Sequence, residues 1–239
     1  MNKSITNIIT DVRKALDEEA LNDSDMISGS DDSELDSVIA LRAVEAADFV
    51  HLRADIAQMA LDATKTIQPS SSDIPPRVDD DEEDEPTPWS LAETGVPTPT
   101  SLGTDSSNIP ATDMLRFLTA YADGWKAPVS ALAIEGSAEH AMALDEFVGA
   151  SPERPVAILS SSDIGRTITL LPVSHAGFFV RYIPKAVLGA SNALDIDANL
   201  YEAYINYLSG ITLLSLGDDR ANDFIELSYN QLGISPTAK

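Results

Sequence analysis

Few residues in this sequence have the types and spacing that catalysis or metal binding requires. The histidines are scattered, with His51 in a long predicted helix, His140 in a short helical segment and His175 in a predicted turn. A metal site needs several ligands that converge on one point, so we expect no metal site. Ser174 precedes His175 directly, and neighbouring side chains on an extended chain point apart. This pair is therefore not a nucleophile with its base.

Sequence motifs for phosphate, nucleotide and calcium binding are also missing. The chain has no Gly-Xaa-Ser-Xaa-Gly elbow, no glycine-rich phosphate loop and no dinucleotide fingerprint. Seven acidic residues run consecutively from Asp79 to Glu85, without the spaced ligands and central glycine of an EF-hand loop. We therefore predict no catalytic, cofactor-binding or metal-binding residues, and a protein that is not an enzyme.

One aromatic series could bind nucleic acid. Tyr201, Tyr204 and Tyr207 recur every three residues in a predicted helix, where rings can stack on bases. The same helix carries no lysine or arginine, which nucleic-acid binding needs to neutralise phosphates. We therefore predict that these rings pack in the core or at a subunit interface.

The composition restricts the compartment and the partners. The 239 residues contain no cysteine, which excludes disulfides and thiolate metal sites and fits a reducing compartment, or a particle that does not rely on disulfides. No apolar run approaches the roughly 20 residues of a membrane span, and the N-terminus lacks a secretory pattern, so we expect no membrane partner. The net charge of −24 disfavours tight electrostatic binding of nucleic acid.

The charge is unevenly distributed along the chain. The net charge is −8 over residues 1–65, −9 over 66–109, −2 over 110–188 and −5 over 189–239. Residues 67–109 are rich in proline, serine and acids, a composition that cannot bury a core, so we expect an exposed loop there. Trp89 is the residue that we expect to anchor the end of this loop on the fold.

Helical periodicity appears near both ends of the chain. The predicted helices cover residues 4–20 with Ser4 as N-cap, about 30 residues from Asp31 with Glu34 at capping-box spacing, 198–216 and 219–232. The helix over 198–216 is apolar on most of its circumference, so we predict that it is the buried central helix. Gly217 should end this helix, and Asp218 should cap the next one.

Strand patterns dominate the middle of the chain. The stretch from Arg166 to Pro184 predicts a β-hairpin, because two arms rich in β-branched and aromatic residues flank a short connection. Residues 119–133 predict a strand, a turn at Gly124 and a second strand, and residues 156–159 predict another strand. Residues 138–147 predict a short helix.

These patterns divide the chain into four predicted segments. They are an N-terminal helical pair over 1–66, the acidic Pro/Ser-rich loop over 67–109, a β-rich insertion over 110–188, and a closing helical pair with a C-terminal tail over 189–239. The predicted fold class is mainly α with a β insertion (α+β): a bundle of about four helices with an inserted β-hairpin and β-rich subdomain.

Several stretches, taken together, carry a resemblance to a known family. They are the helices Ile5–Leu16 and Asp31–Ile56, the segment Ile109–Arg116, the strand segments Leu170–Pro172 and Phe178–Pro184, and the helix Tyr201–Leu216 with its Gly217-Asp218-Asp219 break. Their order resembles the head–tail connector proteins of tailed bacteriophages, also called adaptor, neck or ring proteins, and the resemblance suggests a crAss-like phage as the source. The likeness covers most of the chain as a pattern of elements. The acidic insertion over 67–109 departs from the family pattern.

The resemblance implies a structural virion protein. Proteins of this family form a ring, commonly dodecameric, below the portal, which extends the DNA channel and joins the portal to the tail. The implied partners are other copies of the chain, the portal protein and further connector or tail ring proteins. Genomic DNA would pass through without specific binding, and acidic channel walls repel phosphates. The expected location is the neck or tail of the virion, after synthesis in the host cytoplasm.

Two other interpretations remain open from the sequence. An acidic interaction module could present Asp79–Glu85 as a mimic of nucleic acid to a nucleic-acid-binding protein, and an enzyme would need a pocket with converging polar groups. For a ring, we expect copies to meet through residues 110–188, where the low net charge opposes close packing least. We expect the end of the chain, residues 219–239, to reach toward the portal or the next ring.

Overall fold

The computed structural model describes residues 1–20, 32–68, 109–162, 165–174 and 177–234. The chain forms two compact units. Unit 1 contains residues 1–63 and 184–239, and unit 2 contains residues 64–183. The elements, in chain order, are β1 (Asn2–Ser4), α1 (Ile5–Ala20), α2 (Asp32–Arg53), β2 (Lys65–Ile67), β3 (Ile109–Pro110), β4 (Met114–Ala122), β5 (Leu132–Ile134), α3 (Ala138–Ala143), β6 (Val156–Ser162), β7 (Gly165–Leu171), β8 (Phe178–Pro184), β9 (Ala193–Asp195), α4 (Tyr201–Leu216) and α5 (Ala221–Gln231).

Unit 1 is built around α4. This helix packs against α1, α2 and α5, and buries side chains along most of its length, including Tyr204 and Leu208. Gly210 allows the close approach of α5, because a Cβ atom there would lie 3.0 Å from the carbonyl oxygen of Ala221. The prediction of a buried central helix is confirmed.

The helix ends in unit 1 follow the predicted signals in two places. The Oγ atom of Ser4 accepts a hydrogen bond from the backbone N–H of Asn7 at 3.3 Å, as an N-cap does. Gly217 ends α4 with a positive φ of 77°. The prediction that Asp218 caps the last helix is wrong, because the N-cap of α5 is Arg220, which makes no side-chain cap bond; the Oδ1 atom of Asp218 accepts the backbone N–H of Arg220 at 2.9 Å before the helix begins.

The second helix is shorter than predicted. It ends at Arg53, and a short 3₁₀ helix follows at Ile56–Gln58. Beyond the 3₁₀ helix the chain is no longer helical. The fully buried carboxylate of Asp197 accepts the backbone N–H groups of Ala60 at 2.9 Å and Leu61 at 2.8 Å. Leu61 adopts a φ of 59°, which a helix cannot contain. A contact between residues distant in sequence therefore holds Ala60 and Leu61 outside the helix that local periodicity extends to about residue 64.

Unit 2 contains two sheets that share one core. The strand order is β2-β8-β4 in the three-stranded sheet and β3-β7-β6-β5 in the four-stranded sheet. The shared core contains buried side chains from both sheets, among them Val180 and Tyr182 of β8, Leu170 of β7 and Ala157 of β6. Trp125 is also buried there, and its Nε1–H donates to the carbonyl oxygen of Pro172 at 3.2 Å.

The predicted hairpin over Arg166–Pro184 is wrong, although both of its arms are strands. The first arm, β7, pairs antiparallel with β6 and β3, whereas the second arm, β8, lies in the other sheet beside β2 and β4. The antiparallel pairs between β6 and β7 run from Val156↔Leu171 to Ser162↔Gly165. They occupy backbone hydrogen-bonding positions of β7 that a hairpin with β8 would need. Strand composition indicated the arms but contained no information on their partners.

The second predicted strand pair also has different partners. The turn after β4 is found where it was predicted, with Gly124 at a φ of 88°. Beyond this turn Val129 makes a single bridge to Ala120, and β5 pairs in parallel with β6. The predicted short helix over 138–147 is confirmed but ends at Ala143, and the strand predicted over 156–159 extends to Ser162.

The predicted fold class is wrong. The fold is mixed α/β, with sheets of two, three and four strands, and not a helical bundle with a β insertion. One of these sheets pairs β1 with β9 inside the helical unit. Four of the strands, β1, β2, β5 and β9, have three residues each, too few to show the alternation by which strands are recognised in a sequence.

Several predictions concern residues outside the described part of the chain. These are the Asp31 cap, most of the 67–109 loop with Asp79–Glu85 and Trp89, His175, and the tail beyond Ile234. Among the described residues, no helix combines the length and the apolar composition that crossing a bilayer requires.

Candidate functional site

The titratable side chains of the described residues do not form a metal site. No group of three or more histidine, aspartate or glutamate side chains is arranged to hold a metal ion within the described ranges. His51 is buried in unit 1, and its Nε2 atom accepts the backbone N–H of Asp197 at 3.1 Å. The Nδ1 atom of His140 accepts the backbone N–H of Gly136 at 3.0 Å. These two histidines therefore accept backbone hydrogen bonds in different parts of the fold.

A polar cluster in unit 2 joins Lys65, Asp113 and Tyr182. The Nζ atom of Lys65 lies 2.8 Å from one oxygen of Asp113, and the Tyr182 hydroxyl donates to the other oxygen at 2.7 Å. Burial acts to raise the pKa of Asp113, but the bonds from Lys65 and Tyr182 outweigh it and lower that pKa. Burial, and then the bond to Asp113, raise the pKa of Tyr182. The three groups satisfy one another, so the cluster ties β2, β8 and the start of β4 together.

A second polar cluster, in unit 1, surrounds the α-amino group of Met1. This amino group lies 2.7 Å from a carboxylate oxygen of Asp62 and 3.1 Å from one of Asp195, and donates to the carbonyl oxygen of Ile196 at 2.6 Å. Burial acts to lower the pKa of the amino group, but the two carboxylates outweigh it and raise that pKa. These bonds hold β1 beside β9.

The tyrosines of α4 pack within unit 1. Tyr204 is buried, and its hydroxyl donates to the carbonyl oxygen of Ala43 at 3.3 Å. The ring of Tyr207 stacks on Phe49 with centroids 4.0 Å apart and planes 5° from parallel. The Tyr201 hydroxyl donates to Asp11 at 2.7 Å. The predicted packing role is confirmed for Tyr204 and Tyr207, whose rings contact other parts of unit 1.

The most unusual surface of the described residues lies in unit 2, between β5 and β6. Phe147 is 93% exposed, and four more large apolar side chains nearby in sequence are 48% to 65% exposed. We call this surface the 134–148 patch; its members are Ile134, Met142, Leu144, Phe147 and Val148. Single exposed apolar residues are ordinary, but five within fifteen positions mark a contact surface.

The backbone holds the patch in a defined shape. Ser137 caps α3 by accepting the backbone N–H of His140 at 3.2 Å. After α3, one carboxylate oxygen of Asp145 accepts the N–H groups of Phe147 at 2.8 Å and Val148 at 2.9 Å, and these bonds lower the pKa of Asp145. Gly149 then passes so close to the preceding turn that a Cβ atom would collide with the carbonyl oxygen of Asp145. Phe147 is therefore exposed on an ordered turn.

A small apolar cluster includes buried neighbours of the patch residues. It consists of Ala133, Ala143 and Ile158, with Ala150, Val156 and Leu171 packed against them. Burying a side chain such as Phe or Leu stabilises a fold by about 1.5–3 kcal/mol, and this segment leaves such side chains in solvent. Packing among the described residues gives no reason for this arrangement.

Acidic residues lie among the patch residues in the sequence. Glu135, Glu139, Asp145 and Glu146 are all exposed, and residues 134–148 contain no lysine or arginine. The sequence analysis identified the short helix here but missed the surface, because an apolar residue near a helix normally indicates a buried face. The local sequence offered no usable signal, because Ala141 is exposed like Met142 and Leu144, whereas Ala143 is buried.

No protein-family model matches the chain, and no curated protein matches it.

Proposed function

We propose that this chain is a non-enzymatic subunit of an oligomeric ring in the head–tail connector of a tailed bacteriophage. The observation that carries the proposal is the 134–148 patch, an apolar surface that an ordered turn of unit 2 presents. A surface of this kind is suited to burial against other proteins. The resemblance of the element order to connector proteins supplies the type of assembly.

The charge of the chain supports a role beside DNA. A ring of subunits that each carry −24 surrounds its channel with negative potential. Such a wall repels phosphates, so that genomic DNA passes without being held. In this proposal copies of the chain form a ring, dodecameric as in the family that it resembles. The ring binds the portal on one side and a further connector or tail ring on the other.

The copies meet through faces of residues 110–188 in this proposal, since that segment carries only −2. The alternative of a nucleic-acid mimic depends on Asp79–Glu85, which lies outside the described residues, so no observed geometry favours it.

The composition of purified phage particles tests the proposal. In particles of the phage that encodes the chain, quantitative mass spectrometry should find the chain and the portal protein in a constant, stoichiometric ratio. Particles made without the chain should be heads that lose their DNA and lack tails. If the chain is absent from washed particles, or if particles without it remain tailed and infectious, the proposal is wrong. The major capsid protein in the same samples is the internal reference.

A further inference from the structure

We infer that the 134–148 patch docks into an apolar groove of another protein whose rim carries lysine or arginine. The first step is exposure. Phe147 is 93% exposed, and the carboxylate of Asp145 fixes the turn that presents it by accepting the N–H groups of Phe147 and Val148. A large aromatic side chain on an ordered support is the form that anchor residues of interfaces take, because little conformational entropy is lost on binding.

The second step is charge. Four exposed acids lie among the patch residues in the sequence, and residues 134–148 contain no lysine or arginine. An interface is favourable when the potentials of its two sides are complementary, so the groove that receives Phe147 needs a positive rim. An anionic membrane surface would be repelled by the same four acids.

The third step excludes a second copy as the occupant. Each copy carries −24, so a second copy is acidic overall and is not the source of a positive rim. A self-complementary contact would place two sets of the same four acids face to face, and a head-to-tail contact in a ring would place them against the same acidic chain. Like charges across an interface disfavour binding. The occupant is therefore a different, basic protein. The inference rests on the proposed function in one respect only: the proposed function places that partner in the connector, as the neighbour above or below the ring.

The test uses the full chain and a defined probe. The probe is a synthetic amphipathic peptide of about 18 residues, long enough for a helix, with leucine on one face and lysine on the other. Isothermal titration calorimetry at low salt measures its affinity for the parent chain, for Phe147→Ser and for Leu41→Ser. Leu41 is 76% exposed and lies on α2 of unit 1, so its replacement is a matched loss of one exposed apolar side chain.

The expected result is a loss of affinity confined to the patch. Phe147→Ser should bind the peptide about tenfold more weakly than the parent, and Leu41→Ser should stay within about twofold of the parent. A scrambled peptide of the same composition should bind weakly to all three proteins. Equal affinity of the parent, Phe147→Ser and Leu41→Ser, or equal binding of both peptides, would overturn the inference, because the contact would then depend on charge alone.

A pair of charge variants tests the rim. Glu135→Gln/Glu146→Gln should weaken binding and flatten its dependence on salt, whereas Asp223→Asn/Glu226→Gln, with the same change of charge on α5, should have the smaller effect. Equal effects of the two double variants would contradict a local rim.

Sedimentation of the parent tests which protein occupies the patch. Self-association that Phe147→Ser abolishes would identify a second copy and overturn the inference. Absence of the chain from phage particles would refute the proposed function and leave the peptide result unchanged.

Discussion

Asp197 and His51 show how single buried residues determine the local fold of unit 1. The carboxylate of Asp197 accepts the N–H groups of Ala60 and Leu61, and also that of Asn199 at 3.1 Å. The Nε2 atom of His51 accepts the N–H of Asp197 itself. These bonds satisfy buried donors that would otherwise cost free energy. The sequence offered no sign of the bonds to Ala60, Leu61 and His51, because these partners lie 136 to 146 positions from Asp197.

His51 should make stability depend on pH near neutrality. Burial lowers the pKa of His51, although Asp197, Asp48 and Asp195 act to raise it. The unfolded chain takes up a proton near the ordinary histidine value of about 6.5, while the folded chain resists protonation. Stability is therefore complete above that value and falls as the pH decreases below it.

Replacement of His51 by glutamine tests this dependence. The parent should lose about 1 kcal/mol of unfolding free energy between pH 6.5 and pH 5.5, and His51→Gln, which cannot titrate, should lose less. Urea denaturation at several pH values measures how the unfolding free energy of the parent and of the variant changes with pH. Parallel slopes for the parent and the variant would show that His51 does not carry the effect.

At the scale of elements, periodicity predicted helices well and strand pairing poorly. The apolar spacing of Leu200, Tyr204, Leu208 and Ile211 identified α4, because a helix satisfies its backbone hydrogen bonds locally. A strand needs a partner from elsewhere in the chain, and its residues do not name that partner. Composition therefore located β7 and β8 but not their separation into two sheets.

Aspartate substitutions along α4 should follow burial. Leu208 is fully buried, Ile211 is half-buried and Leu214 is 60% exposed on the same helix. Leu208→Asp should destabilise unit 1 by about 4 kcal/mol, because it buries an unpaired charge, and Ile211→Asp by about half as much. Leu214→Asp is the matched control and should change stability by about 0.5 kcal/mol or less. Chemical denaturation measures the loss of unfolding free energy in each of the three variants. Equal losses in all three would mean that α4 is not central.

Engineered cysteines can test the strand partners. Ser160 of β6 is opposite Thr167 of β7, so Ser160→Cys/Thr167→Cys should form a disulfide on mild oxidation. The hairpin predicted from the sequence would instead place Thr169 opposite Arg181, and Thr169→Cys/Arg181→Cys should stay reduced. The natural chain has no cysteine, so peptide mass spectrometry reports each pair without background. Cross-linking of the second pair alone would contradict the sheet order.

At the scale of the whole molecule, the chain combines a large acidic charge with the exposed apolar 134–148 patch. The −24 charge opposes association of copies, while residues 110–188 contribute only −2 of it. The charge asymmetry could be read from the sequence. The candidate site could not, because exposure of Phe147 depends on the turn in which Asp145 accepts the backbone N–H of Phe147.

Salt should therefore promote self-association of the purified chain. Repulsion between copies acts through solvent, and the screening length falls from about 10 Å at 0.1 M salt to about 3 Å at 1 M. Apolar contacts do not weaken under the same change. Sedimentation velocity should find monomers at low salt and larger species at high salt, while an uncharged osmolyte at equal osmolality should have no such effect. Phe147→Ser should follow the parent, because the 134–148 patch is assigned to a different partner. Oligomers that form at low salt and dissociate as salt rises would show instead that ion pairs hold the copies together, and the charge-based account of assembly would be wrong.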